Sequence, residues 1–254
     1  MHTAKLTASL LVLLALVLGA APARAETVNC TAITALPKVI TVQGVYCFTR
    51  DLATAMTSGN AIDIQTNNVV LDLNGFKLGG LAAGRGTLTN GIHALNRQNL
   101  TIKNGTIRGF LRGILLDDTS ASQGHVVEDI RADQNTQIGI EVQGSGTIVR
   151  NNQVVATGGS TVFGANADAF GIRVIDAGPR VLNNDVIHTV KQGTGISRRI
   201  LLQNATDGLA VNNRITEADR GIEYSTFSTG KYRDNLTFGV TTPFTGGTAV
   251  GIND

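Results

Sequence analysis

The chain has 254 residues, 30 of them glycine and 4 proline, with no tryptophan, 4% aromatic residues and only 16% charged ones. Such material is poor for amphipathic helices and good for short strands joined by tight turns. With 21 Lys+Arg against 19 Asp+Glu, and no basic block beyond Arg198 and Arg199, there is no cationic surplus to displace counterions from a nucleic acid, so that class of partner finds no support.

In chain order, the first expected element is a leader. Lys5 precedes the apolar run "LLVLLALVLGAA", which ends in "APARAE". One basic residue, a short apolar stretch and an Ala-Arg-Ala site predict a secretory signal peptide over residues 1–25, cleaved after Ala25. The run is short for a membrane span, and a retained anchor is the alternative. A secreted or periplasmic location follows, with no span left after cleavage. Losing Lys5 and Arg24 lowers Lys+Arg from 21 to 19, level with the 19 acids, so the mature chain is formally neutral.

Residues 26–60 are expected to form an entry cap and first coil. They hold both cysteines, Cys30 and Cys47. Outside the cytoplasm a disulfide is the natural reading. It closes a loop of about 17 residues and adds roughly 3 kcal/mol, less any strain. Free thiols or a metal pair are the alternatives, although nothing nearby completes a metal site. A short helix around Leu52 to Met56 is expected to cover the exposed end of the stack, since an open edge invites pairing.

Residues 61–254 repeat. Gly-Ile pairs open alternating stretches at Gly91, Gly113, Gly139, Gly171, Gly195, Gly221 and Gly251, 22 to 32 residues apart. A second signature, apolar-x-(Asn/Asp)-(Asn/Gly)-x-apolar, places Gly75, Gly105, Ile130, Asn152, Asn184, Asn213 and Asn235 at matching spacings of 22 to 32. Two interleaved signals with one irregular period indicate a solenoid built from short strands. Leucine-rich and helical repeats lack the required spacing. The expected fold is all-β, a single-stranded right-handed parallel β-helix of about seven or eight coils. Like residues then stack about 4.8 Å apart. Asn152, Asn184, Asn213 and Asn235 are expected to tolerate the left-handed turn conformation and to bond amide to amide between coils. Gly75 and Gly105 would meet the same backbone need without a side chain.

The stretch "AIDIQTNNVVLDLNGFKLGG", through Ile62, Ile64, Val69, Leu71, Asp72, Leu73, Asn74 and Gly75, resembles the opening coil of the pectate-lyase-like superfamily of right-handed β-helices, and within it the NosD-like periplasmic repeat proteins. The resemblance covers roughly residues 40–240. It implies the fold more strongly than a function, because the superfamily holds lyases, hydrolases, epimerases, adhesins and accessory proteins.

Side chains alternate along a strand, so the residue after each Gly-Ile faces outward. The outward column is expected to read His93, Leu115, Glu141, Arg173, Ser197, Glu223, Asn253, with Leu95, Asp117, Gln143 and Ile175 beside it. Two long loops, residues 77–90 and 154–170, share one phase of the coil and are expected to flank a trough. In related lyases, acidic residues on this face bind calcium and a basic residue removes the proton beside a uronate carboxylate. By that resemblance Arg173, Glu141 and Asp168 are the candidate catalytic residues, with Ca2+ the cofactor if the protein is a lyase. Deprotonating an arginine is hard at its high pKa, and a plain surface ion pair is the alternative. His93, Asp117, Phe163 and Glu223 are candidate substrate-binding residues. Phe163 and Phe170 are the best aromatic platforms, with Phe170 expected to pack under its loop. The Asp117-Asp118 doublet is not the triple-aspartate cluster of polygalacturonases. His125 and His188 lack partners at metal-ligand spacing, so no metal site is assigned to them. Three functions follow: a polysaccharide-binding protein of the cell envelope without a complete catalytic site, a lyase or epimerase acting on a uronate polymer, or a structural or adhesive solenoid.

Overall fold

A computed structural model describes residues 27, 29–164 and 166–254; the leader expected over residues 1–25 lies outside them. The chain winds as a right-handed parallel β-helix of about eight turns. Each turn contributes a strand to each of three faces. The first face runs through Asn60–Ile64, Asn90–Leu95, Arg112–Asp117, Ile138–Gln143, Ala169–Ile175 and Ser197–Gln203, all pairing in parallel. The second includes Ile148–Arg150 and Arg180–Leu182, and the third Gln153–Val155 and Asp185–Ile187.

The Gly-Ile motif explains the inner wall. Ile62, Ile92, Ile114, Ile140, Ile172, Ile200 and Ile222 stack in register at the centre of the first face, and all are buried. Each adds roughly 1.5–3 kcal/mol by leaving water. The glycine before each isoleucine sits where coils touch. A Cβ on Gly139 would lie 2.5 Å from Val154 Cγ1 and 2.7 Å from the Gly171 carbonyl. Two coils break the glycine column: Ala61 precedes Ile62, and Arg199 stands level with Gly171, fully buried. Its Nε donates to the Thr216 carbonyl at 2.7 Å and its other arm to the Glu217 carbonyl. Burial pushes its guanidinium down to about 10.

The paired asparagines divide two tasks that sequence reasoning gave to one residue. The first of each pair, Asn151, Asn183 and Asn212, holds the left-handed turn at φ 56°, 56° and 53°. The second, Asn152, Asn184 and Asn213, is buried and forms the column, its side-chain amide donating 2.9–3.0 Å bonds to the next coil's amide oxygen. The same division explains the glycines. Gly75 has φ 77°, whereas the left-handed residue beside Gly105 is Asn104 at φ 57°. Gly105 is instead a packing position, its missing Cβ 2.4 Å from Leu73 Cβ.

Several expectations are corrected. Leu52 to Met56 is not helical: Leu52–Ala53 is a strand paired with Lys77–Gly79, because a stacked neighbour offers its backbone a partner. The opening coil is instead held by strand Thr31–Ile33 on Gly44–Phe48, by the Cys30–Cys47 disulfide, and by Thr27 donating to Asn74 and Asp72. Gly195 does not start a coil strand; the strand slides four residues onward, so Leu201, not Ser197, stands over Arg173. Asn253 leaves the outward column altogether and accepts from Asn235 as the last rung of the asparagine column. The two long loops meet rather than flanking an open trough. Thr161 N donates to the Arg85 carbonyl at 3.2 Å, and the loops roof a cavity of about 300 Å³.

Candidate functional site

Outward side chains on the first face form two adjacent columns. One carries Asp63, His93, Leu115, Glu141, Arg173, Leu201 and Glu223; the other carries Asn60, Asn90, Arg112, Ile138, Phe170, Arg198 and Arg220. The fold therefore places Glu141 directly beneath Arg173, as the repeat predicts, with Arg173 Nη1 at 3.6 Å from Glu141 Oε1.

The second column supplies what the sequence reading missed. Arg112 Nε lies 3.5 Å from Glu141 Oε2, so Glu141 is clasped from both sides. Gln143 donates to it at 2.9 Å. Two coils on, Arg198 Nε donates to Glu223 at 2.8 Å and Arg220 takes its other oxygen. Asp168 joins this second cluster and not the first: Arg198 donates to its Oδ2 at 2.6 Å while Ile196 N occupies Oδ1. Arg173 turns away from Asp168, donating to Gln203 Oε1 at 2.8 and 3.1 Å.

Exposure sets the sign of the surface. The Glu141 and Glu223 side chains are only 4% and 10% exposed, whereas Arg112, Arg173 and Arg220 are 30%, 24% and 35% exposed. At these two glutamates the carboxylates lie below and the guanidiniums above; at Arg198 the order reverses, with Asp168 41% exposed and Arg198 15%. Between these charges runs an apolar strip of Ile138, Phe170 and Leu201. Arg173 and Arg198 both lie over the Phe170 ring, 5.5 and 5.4 Å from its centre, within cation–π range. Phe170 thus stands on the outward side of the strand, buried under these two arginines. Phe163 stands exposed in that loop, and the ring beneath the arginines is Phe170's.

The other candidates lie apart. His93 Nδ1 is 2.6 Å from Asp63 Oδ1, two rungs before Glu141. Burial alone would raise the Asp63 carboxyl, but hydrogen bonds from His93, Gln65 and Asn60 outweigh it and hold the group below its ordinary value. Asp117 accepts from Asp118 N at 3.1 Å; Asp118 caps its own turn through the backbone N–H groups of Ser120, Ala121 and Ser122. That is the solvated turn expected of the doublet. The calcium set implied by family resemblance does not fit: Glu141, Asp168 and Asp117 do not converge, and two of the three are tied to arginines. Among the described residues no group of three or more His, Cys, Asp or Glu side chains could hold a metal ion.

One signal could have found the second column. Asn90, Arg112, Ile138, Phe170 and Arg220 each immediately precede the glycine of a Gly-Ile pair. Two members escape that rule: Asn60, which precedes Ala61, and Arg198, because of the four-residue slide.

Coils, columns and core together define the class. The right-handed β-helix region family model matches residues 90–252, and the chain belongs to that family. No curated protein matches the sequence. Among solved structures, the chain is similar to full-length tailspike protein 2 from an Escherichia coli O157:H7 bacteriophage, at 18% identity and TM-score 0.62, covering 88% of this chain and 35% of that one. It is also similar to the enzymatically active domain of bacteriophage CBA120 tailspike protein 2, at 17% identity and TM-score 0.56, covering 88% of this chain and 39% of that one. The chain thus spans little more than a third of the tailspike chains it matches. Likeness at this identity shows the fold.

Proposed function

We propose that the first face binds an extended acidic polysaccharide outside the cytoplasm, without the converged groups of a complete catalytic site. One observation carries the reading: Arg112, Arg173, Arg198 and Arg220 line one face around two buried glutamates, four of five consecutive coils each giving one, with the Phe170 ring beneath Arg173 and Arg198. Coils repeat about every 4.8 Å, so the face offers donors at multiples of that rise to an extended chain laid along it. Guanidiniums match carboxylates in planar, two-bond geometry. The Cys30–Cys47 disulfide supports an oxidising compartment.

The test is binding of the purified protein to polygalacturonate, alginate and hyaluronan, with a neutral glucan as control. Acidic polymers should bind and the neutral one should not. Arg173→Ala and Arg198→Ala should each weaken binding by about tenfold, the loss expected of one charge-assisted contact. Neutral and acidic polymers binding alike would sink the proposal. Growth of unsaturated-uronate absorbance during the incubation would move the reading to a lyase, with Glu141, Asp168 and Arg173 the first residues to vary.

A further inference from the structure

We infer that the cavity beneath the two long loops is a second ligand site, built to take one acidic sugar residue. It lies at the corner where the third-face strands end. Gln134, Ala156 and His188 directly follow strands Val126–Asp133, Gln153–Val155 and Asp185–Ile187 and line its floor. The arginine row lies on a different face, so the two sites succeed or fail separately.

Size comes first. At about 300 Å³, the cavity is at the low end of small-molecule sites; it has room for a single ring rather than a polymer segment. Charge comes second. Arg85 lines the cavity, no carboxylate does, and Arg85 makes no ion pair among the described residues. Arg50, Arg97 and Arg180 likewise make no ion pair among the described residues, but none of them lines this cavity, and the other titratable lining group, His188, is already paired with Glu217 at 3.2 Å. A donor-only guanidinium left without an ion pair beside a cavity is matched by a carboxylate.

The remaining lining supports a sugar rather than a bare anion. Gln134 already accepts from Arg108 at 3.0 Å, which leaves its amide free to donate. Thr136 completes the wall, its hydroxyl closed off from solvent like those of Thr157 and Thr189 nearby. Leu81 and Val190 add apolar surface for the C–H face of a ring. Arg85 is also held in position. Its carbonyl accepts from Thr161 across the loop junction, and its guanidinium lies against Gly159, where a Cβ would be 2.8 Å from Nη2.

The experiment is saturation-transfer NMR and calorimetry on the whole protein with galacturonate, glucuronate, galactose and inorganic phosphate. Both uronates should bind, and galactose should bind at least about tenfold more weakly for want of the carboxylate. Arg85→Ala should cost about the same factor while leaving the thermal midpoint unchanged, since the side chain is exposed. Arg198→Ala, on the polymer face, should leave uronate binding intact. The assignment is overturned if neither uronate binds at millimolar concentration, if galactose or phosphate binds as tightly, or if Arg198→Ala and not Arg85→Ala removes binding. Gln134→Ala is the second variant: by removing an amide donor from the cavity wall it should weaken uronate binding in the same direction, and unchanged affinity would count against the site.

Discussion

Replacing Asn184 by alanine tests the asparagine column directly. Asn184 is fully buried, and its Oδ1 accepts from both the backbone N and the side-chain amide of Asn152, each at 3.0 Å. Its own amide donates to the Val149 carbonyl and to Asn213 Oδ1, again at 3.0 Å. Alanine therefore strands two buried donors on Asn152, each costing roughly 1–3 kcal/mol, and removes two further bonds. The expected loss is about 4 kcal/mol. The neighbour gives the control. Asn183 keeps the left-handed turn at φ 56° but makes its side-chain bonds to Asn151 and Asn212 in solvent. Asn183→Ala should cost only about 1–2 kcal/mol, the left-handed penalty for a side chain. Asn183→Gly should be near neutral, whereas Asn184→Gly should not be rescued. Urea unfolding followed by the strand signal in circular dichroism measures all four variants. The reasoning fails if Asn184→Ala costs under about 1 kcal/mol, or if Asn183→Ala costs more than Asn184→Ala.

Three further outcomes are expected. Ala156 sits at φ 52°, where an L-residue costs about 1–2 kcal/mol and glycine gives up about 0.5–1 in chain entropy, so Ala156→Gly should raise the urea midpoint slightly. Gly171→Ala would place a methyl 2.3 Å from Val186 Cγ1 and 2.7 Å from the Arg199 carbonyl; a loss of about 3 kcal/mol is expected, and an unchanged midpoint would show that the coils can part there. Burial pushes His125 down to about 4, against the opposing pull of Asp118. Between that value and the ordinary 6.5 the unfolded chain binds a proton that the folded chain does not, so stability should fall as pH drops through this window, by up to about 1.4 kcal/mol per unit. His125→Gln should flatten the slope; a slope unchanged in the variant would clear His125 of the effect.

Much of the fold was legible because stacking copies itself into sequence. Ile140 and Ile172 recur at the same phase for the same reason that they touch, and the Asn-Asn pairs mark each second corner. What the pattern concealed was the work done by neighbours in three dimensions. Asn151 and Asn152 are the same residue type, and only the coil above decides which bends the backbone and which enters the column. The slide before Arg199 was invisible because "GISRR" still offers a Gly-Ile pair, although one displaced by four residues from its coil. The candidate face was half legible. Glu141 over Arg173 follows from register alone. The clasp of Arg112, and the capture of Asp168 by Arg198, depend on which way long side chains lean, and no spacing in the sequence encodes that.

The side-chain amides of Asn152, Asn184, Asn213 and Asn235 each donate to the asparagine of the following coil, ending at Asn253. Their dipoles therefore add head to tail, as peptide dipoles do along a helix, and each bond polarises the next. The interior carries an electrical axis as well as a mechanical one, with an oxygen pole at Asn152 and an N–H pole at Asn253. The Ile130 backbone N–H engages the first pole and the Gly251 carbonyl the second, so the protein closes this axis with its own main chain at both ends.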